Sequence, residues 1–491
     1  MEPTGEASVT KRRRMSRGLD KLAAGFWLRE IGGLTSRSFA YRHRVSEDLV
    51  LRFEIYRKLT SHRGCVNTIS FNSSGDILVS GSDDRRVILW DWETGNVKLS
   101  FHTGHQNNVF NAKIMPYSDD RSIVTCAADG QVRHTQLPEN APVKTIPLGK
   151  HQARAHRLAI EPGSPHVFYS CGEDGLVQHF DLRTKGVTDH FTCRPIDDRG
   201  SDASTIQLNA IAIDPRNPNL FAVAGSDEFT RLYDIRKYKS DGSTDFGQPA
   251  NYFCPPHLVG DEQVGITGLA FSDQSELLVS YNDEFIYLFT HDMGLGPDAV
   301  TSEGVASLSN TDLKEKANPQ VYKGHRNCET VKGVNFFGPK CEYVASGSDC
   351  GRIFIWKKQG GELIRVMEAD KDVVNCVEPH PHEVVLASSG LEDDVKIWTP
   401  KAIEKAILPT NIQRTRPKSR GWLYRISSPQ DLLLQLFSME RRRTDSGDNR
   451  DDSSSSTTGR DLMELIFTFN GNNASSSDDG GNASGPEDFF S

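Results

Sequence analysis

HRGCVNTISFNSSGDILVSGSDDRRVILWDW, from His62 to Trp92, is the stretch whose reading decides the fold. It reads as short apolar strands cut by turns. A strand follows Val66, Gly75-Asp76 marks a turn, Ser80-Gly81-Ser82 lies in the next strand, Asp84 sits in a second turn, and Trp90-Asp91 closes a third strand. The same form returns in FYSCGEDGLVQHFDLR (Phe168 to Arg183) and FAVAGSDEFTRLYDIR (Phe221 to Arg236). Each of these alternates apolar and polar residues, breaks at an acidic turn (Asp174, Asp227) and resumes, the pattern of a hairpin with one face buried.

Working outward, the unit recurs seven times, closing at positions 90, 135, 180, 233, 289, 356 and 398. The second unit runs from Gly104-His105 to Asp129 and has Thr135 where the tryptophan stood. The third starts at His151 and ends at Phe180-Asp181. The fourth lacks a histidine but keeps Asp227 and Tyr233-Asp234, and the fifth keeps Asp283 and Phe289. The sixth opens at His325 and closes at Trp356, with Cys350 at the turn-acid position and Asp349 one place early. The seventh ends at Trp398 after Glu392-Asp393-Asp394. Three of the six spacings are near the ~40–45 residues of a four-stranded propeller blade. Three long ones place insertions near 184–206, 237–260 and 291–320.

The pattern over residues 62–398 resembles the WD-repeat family, and the fold class it implies is all-β, a closed seven-bladed propeller. In that grammar the turn aspartate accepts from the histidine, which links through a serine hydroxyl to the indole N–H. His62, Asp84, Trp90, His105, Asp129, His151, Asp174, Asp227, Asp283, His325, Trp356 and Trp398 are thereby expected to be structural, not catalytic. Either Arg52–Leu59 or residues after Trp398 supply the strand that closes the ring.

Outside the repeats, residues 1–18 read as a disordered basic tail containing Lys11-Arg12-Arg13-Arg14, either an import signal or a solvated segment. Residues 19–60 read as helical in two pieces, with Ser46 as an N-cap and two apolar stripes, Leu49-Phe53-Tyr56 and Leu51-Ile55-Leu59. The propeller is expected over 61–400, a basic linker and short helix over 401–443, and a disordered acidic, Ser-rich tail over 444–491. Leu462 to Phe469 stands out in that tail as an apolar island suited to docking.

Composition narrows the classes. Residues 1–63 carry 14 Lys/Arg against 7 Asp/Glu, residues 444–491 carry 2 against 10, and the whole chain has a net charge of −9. The stretch between therefore sums to −8, which argues against a broad phosphate-binding surface and direct nucleic-acid binding. No apolar run reaches membrane-spanning length. Nine cysteines without CxxC spacing suggest reduced thiols, and a nuclear and cytoplasmic location is expected. No phosphate cradle, nucleophile elbow or cofactor motif is present. In His380-Pro381-His382-Glu383 the proline blocks helical ligand spacing, so no metal is expected there.

Two neighbouring units end in aromatic-Asp-x-Arg: Phe180-Asp181-Leu182-Arg183 and Tyr233-Asp234-Ile235-Arg236. They resemble the double Asp-x-Arg box of substrate receptors for cullin-4 ubiquitin ligases. HRGCVN at His62, GHQNNVFNAK at Gly104, YNDEFIYLF at Tyr281, YKGHRN at Tyr322, SGSDCGRIF at Ser346 and EPHPH at Glu378 are similar to the cullin-4-associated factor 8 group. The resemblance implies a non-catalytic receptor that docks on the damaged-DNA-binding adaptor protein of the cullin-4 ligase core and holds a protein substrate. It assigns adaptor contact to Asp181, Arg183, Asp234, Arg236, Phe53 and Tyr56. Phe and Tyr stand where that family usually has Trp. The alternative is a WD-repeat scaffold or histone-tail binder outside any ligase.

Overall fold

The computed structural model describes residues 27–33, 46–139, 142–184, 186–193, 205–237, 249–261, 263–297 and 318–409. They form seven four-stranded antiparallel sheets. Blade one is β2 (Val66–Phe71), β3 (Ile77–Ser82), β4 (Arg86–Asp91) and β5 (Asn96–His102). Blades two to six repeat this order in sequence, and the first strand of each packs beside the first strand of the next, round to blade seven and back to blade one. The chain is a seven-bladed β-propeller.

The last sheet settles the closing strand. It contains β26 (Val374–Pro379), β27 (Leu386–Gly390) and β28 (Asp394–Thr399), and its fourth member is β1 (Glu54–Thr60) from before the first repeat. Their register runs from Glu54 opposite Thr399 to Thr60 opposite Asp394.

This corrects the helical reading of 46–60. Only Glu47–Val50 is helical, led by Ser46 and with Glu47 and Asp48 in its first turn. Ile55 and Leu59, four apart, share a helix face, but they also share a strand face. The free edge of β28 supplies the hydrogen bonds that make the strand the winner. A second helical turn spans residues 27–30. The expected segments at 1–18, 19–26 and 34–45, and everything after 409, including Leu462–Phe469, lie outside the described residues.

Packing follows from alternation. One face of blade one, through Val79, Val87 and Leu89, meets Ala112, Ile114 and Ile123 of blade two. The other, through Leu78, Ile88 and Trp90, meets Ala387, Val395 and Ile397 of blade seven, and Leu59 joins that cluster. The first strand slips register near its start in six blades, for example between Val66 and Thr68 and between Val374 and Cys376. That bulge adds twist where the strands crowd the axis.

The connectivity defines two faces. The acidic turns after the second strands, with Asp84, Asp129 and Asp174, lie on what we term the upper face. The third strands end on the lower face. Because Glu54 pairs with Thr399, the end of β28, the Glu47–Val50 helix also lies on the lower face. Residues 400–406 strap it there. The amides of Ala402 and Ala406 donate to the carbonyls of Arg52 (3.1 Å) and Leu51 (2.9 Å), and Lys405 pairs with Asp48.

Leu59 is 1 % exposed in the seam between first and last blades. Leu59→Ala is expected to lower stability by about 2–4 kcal/mol, read as a lower urea midpoint with an unchanged m-value.

Candidate functional site

The buried polar network comes first, because it fixes the turns. In blade one Trp90 Nε1 donates to Ser80 Oγ (2.8 Å), Ser80 Oγ lies 2.7 Å from His62 Nε2, and His62 Nδ1 lies 2.9 Å from Asp84 Oδ2. The indole cannot accept, so the serine hydroxyl donates to Nε2 and His62 carries its proton on Nδ1. Asp84 also accepts the amides of Arg63 and Arg86. Burial works to raise its pKa, but the His62 contact and these amides outweigh it and hold the carboxyl at about 2.

Blades two and three repeat the network. His105 joins Asp129 (3.1 Å) to Thr125 (2.9 Å), and His151 joins Asp174 (2.9 Å) to Ser170 (2.7 Å). In place of the tryptophan, Thr135 pairs with Thr145, and Phe180 stacks on Phe168 at 4.7 Å.

The remaining blades depart from the expected pattern. In blade four Asp227 receives the buried guanidinium of Arg231, at 2.5 and 3.0 Å, instead of a histidine. In blade five Asp283 is exposed, with a left-handed φ of 57°, and its amide donates to the Asn327 carbonyl. In blade six Cys350 replaces the acid. His325 packs edge-on against Trp356, but both of its ring nitrogens are buried without a partner, and burial first, then Lys332, depresses its pKa to about 4. Asp349 pairs instead with buried Lys332, and Trp356 Nε1 donates to the Lys323 carbonyl (2.8 Å). In blade seven Trp398 keeps its serine, Ser388, at 2.9 Å.

Blade seven also solves the missing histidine differently. Lys396, fully buried, bonds Asp370 (2.7 Å), Glu392 (2.8 Å) and Asp394. Counting back from the first strand, Asp370 stands where His62 stands in blade one and Glu392 where Asp84 stands. Burial pushes the Asp370 carboxyl up to about 6 against the pull of Lys396. The three carboxylates have the spacing of a cation site, and the ammonium already fills that role. His380 is likewise structural. Its Nε2 bonds the Gly75 carbonyl of blade one (2.8 Å), and its Nδ1 accepts the amides of His382 and Glu383.

The two Asp-x-Arg boxes are the surface feature. Asp181 ends β12 (Leu176–Asp181) and Asp234 ends β16 (Thr230–Asp234), so both open onto the lower face at adjacent blades. Asp181 accepts the Arg183 amide (2.9 Å), Nε (2.9 Å) and Nη2 (2.6 Å). Asp234 accepts the same three groups of Arg236 at 3.0, 2.9 and 2.6 Å. The guanidinium side chains remain 67 % and 63 % exposed while their carboxylates are nearly buried. The Arg183 contact, ahead of opposing burial, holds Asp181 at about 2. Each box thus presents a fixed cation in one pose, with directed N–H groups turned outward.

Two other docking assignments separate. Phe53 is 1 % exposed and packs on Phe337 at 5.7 Å, so it belongs to the core of blades six and seven rather than to a surface. The fixed turn after Val50 rolls it inward. Tyr56 stays partly exposed, its hydroxyl donating to the Glu93 carbonyl (3.3 Å).

Residues 53–91, 317–357 and 361–399 match the WD domain, G-beta repeat. The chain is 32 % identical over 379 residues to Protein ALTERED SEED GERMINATION 2 of Arabidopsis thaliana, covering 68 % of this chain and 48 % of that protein. It is 23 % identical over 604 residues to WD and tetratricopeptide repeats protein 1 of Homo sapiens, covering 76 % and 88 %. It is 33 % identical over 258 residues to DDB1- and CUL4-associated factor 6 of Homo sapiens, covering 50 % of this chain and 29 % of that protein. The chain therefore spans about half the length of the first of these relatives and less of the last. A propeller of WD40 repeats with such relatives is typically a non-enzymatic scaffold or receptor.

Two outcomes follow from the turn networks. The Asp84 pKa is depressed from 3.8 to about 2, so its stabilisation is complete above pH 4 and disappears as pH falls towards 2. Asp84→Asn should cost roughly 2 kcal/mol at pH 7, with the gap to the parent closing across that window in chemical unfolding. Cys350→Asp supplies the acceptor that His325 lacks. It should stabilise by about 1 kcal/mol, and the gain should vanish in a His325→Ala background.

Proposed function

We propose that this chain is the substrate-recognition subunit of a cullin-4 RING ubiquitin ligase, docking through its lower face on the damaged-DNA-binding adaptor. The observation that carries the reading is the pair of Asp-x-Arg boxes, held in one pose on adjacent blades and facing the same way. A relative whose printed name declares association with DDB1 and CUL4 supports it. So does the strapped Glu47–Val50 helix, which shares the lower face.

The mechanism is proximity. The receptor contributes no bond-making group; it holds a protein substrate near the charged conjugating enzyme and raises its effective concentration. The upper face and its loops are left for the substrate. The motifs quoted from His62 to Glu378 support a reading close to the factor 8 group, and a nuclear and cytoplasmic location suits both that likeness and the basic cluster at Lys11–Arg14. No direct role for nucleic acid or membrane enters this reading.

Arg183→Ala with Arg236→Ala should cut recovery of the adaptor and cullin-4 in affinity purification tenfold or more, with the unfolding midpoint within 2 °C of the parent. Unchanged recovery from a folded double variant, or a parent partner list without cullin-4, points instead to a scaffold outside any ligase.

A further inference from the structure

The loop between the first two strands of blade two, MPYSDDR from Met115 to Arg121, opens on the lower face, one blade from Arg183 and two from Arg236. It contains three non-glycine residues in the left-handed region, Tyr117 (φ 55°), Asp119 (φ 52°) and Asp120 (φ 57°). Each such residue costs roughly 1 kcal/mol or more. Tyr117 is 77 % exposed, an outlier among large side chains of the propeller core.

The loop is nevertheless tightly held. Met115 is fully buried, Ser118 Oγ donates to the Met115 carbonyl (2.7 Å), and the Arg121 amide donates to the Ser118 carbonyl (3.0 Å). Asn72 Nδ2 of blade one reaches Asp120 (2.9 Å). Fold stability gains nothing from an aromatic ring turned into water on a strained backbone. A binding surface does gain: a tyrosine whose backbone is already fixed brings apolar area and a phenol donor, with only two side-chain torsions left to order.

We infer that Tyr117 is a third contact of the docking face, an aromatic anchor seated in an apolar pocket of the same adaptor that receives the two guanidinium groups. This inference rests on the docking reading above. It assigns the adaptor contact to an arc over blades two, three and four: one aromatic on a fixed backbone and two cations held by their own aspartates.

The test uses the full chain and the purified adaptor in a direct affinity measurement, with Tyr117→Gly, Tyr117→Phe and the Arg183→Ala/Arg236→Ala pair side by side. Tyr117→Gly relieves the left-handed backbone, so it should leave the melting temperature equal or raise it, yet weaken adaptor binding at least tenfold. Tyr117→Phe should stay within about fivefold of the parent. Parent-like affinity of Tyr117→Gly alongside a weakened arginine pair overturns the third contact and spares the docking reading. Failure of the parent chain to bind the adaptor overturns both. A Tyr117→Gly chain that melts lower and binds normally shows the ring to be structural and also overturns the inference.

Discussion

The pairing of Glu54–Thr60 with Asp394–Thr399 is the constraint on which the other contacts rest. Each blade buries its two faces only against neighbours, so an open array would leave blade one and blade seven with one apolar face each in water. Closing it with a strand from the opposite end of the repeat array makes the chain itself the clasp. The pair Lys58–Asp394 at the rim and Leu59 within the seam tie that clasp to both blades. The same strand fixes where the chain before it must emerge, and so sets the Glu47–Val50 helix on the lower face.

Within the ring, the turn after each second strand poses one recurring problem: a carboxylate sunk into the sheet end needs donors. Three chemistries solve it. His62, His105 and His151 donate from Nδ1 and pass the chain on through a hydroxyl. Arg231 does so from within its own hairpin, and Lys396 from the third strand of its blade. The lysine brings a full charge into the interior, and Asp370 at the histidine position supplies the second carboxylate that such a charge needs. Blades five and six are the exceptions. Asp283 of blade five lies exposed, and in blade six the acid has moved one residue earlier to meet Lys332, leaving His325 stranded as a neutral ring.

These differences mark what was legible in the sequence. The seven units, their order and the three histidine networks follow from residue spacing, because a repeat that cannot bury its face alone must keep its register. The Arg231 and Lys396 solutions were missed because they reuse the turn acid with a donor four residues later, a spacing that also fits an ordinary exposed pair. Asp370 in the histidine register was the available clue. Phe53 and Tyr56 fall on one helical stripe in the sequence, whereas the chain turns into a strand after Val50, sending Phe53 inward. Tyr117 carried no sequence signal at all, since its exposure depends on backbone angles that no motif encodes.

The spacing of the two Asp-x-Arg boxes depends on a core beneath the lower face. Tyr169 of blade three stacks on Phe221 of blade four at 5.8 Å, and Phe221 stacks on Tyr233 at 5.5 Å, one residue before Asp234. These rings sit in one cluster with Val177, Val223 and Ile211. The distance between the two boxes is therefore set by close packing, which does not deform continuously. Each aspartate holds its arginine in one pose, so less rotamer freedom is left to lose on binding. A partner shaped to that spacing meets two cations whose positions are already determined. Phenylalanine and tyrosine at 180 and 233 in place of tryptophan are compatible with this role, because their task is to hold the sheet ends in register from inside. The specificity of the surface is in that sense written in the interior, and the exposed guanidinium groups are only its outermost part.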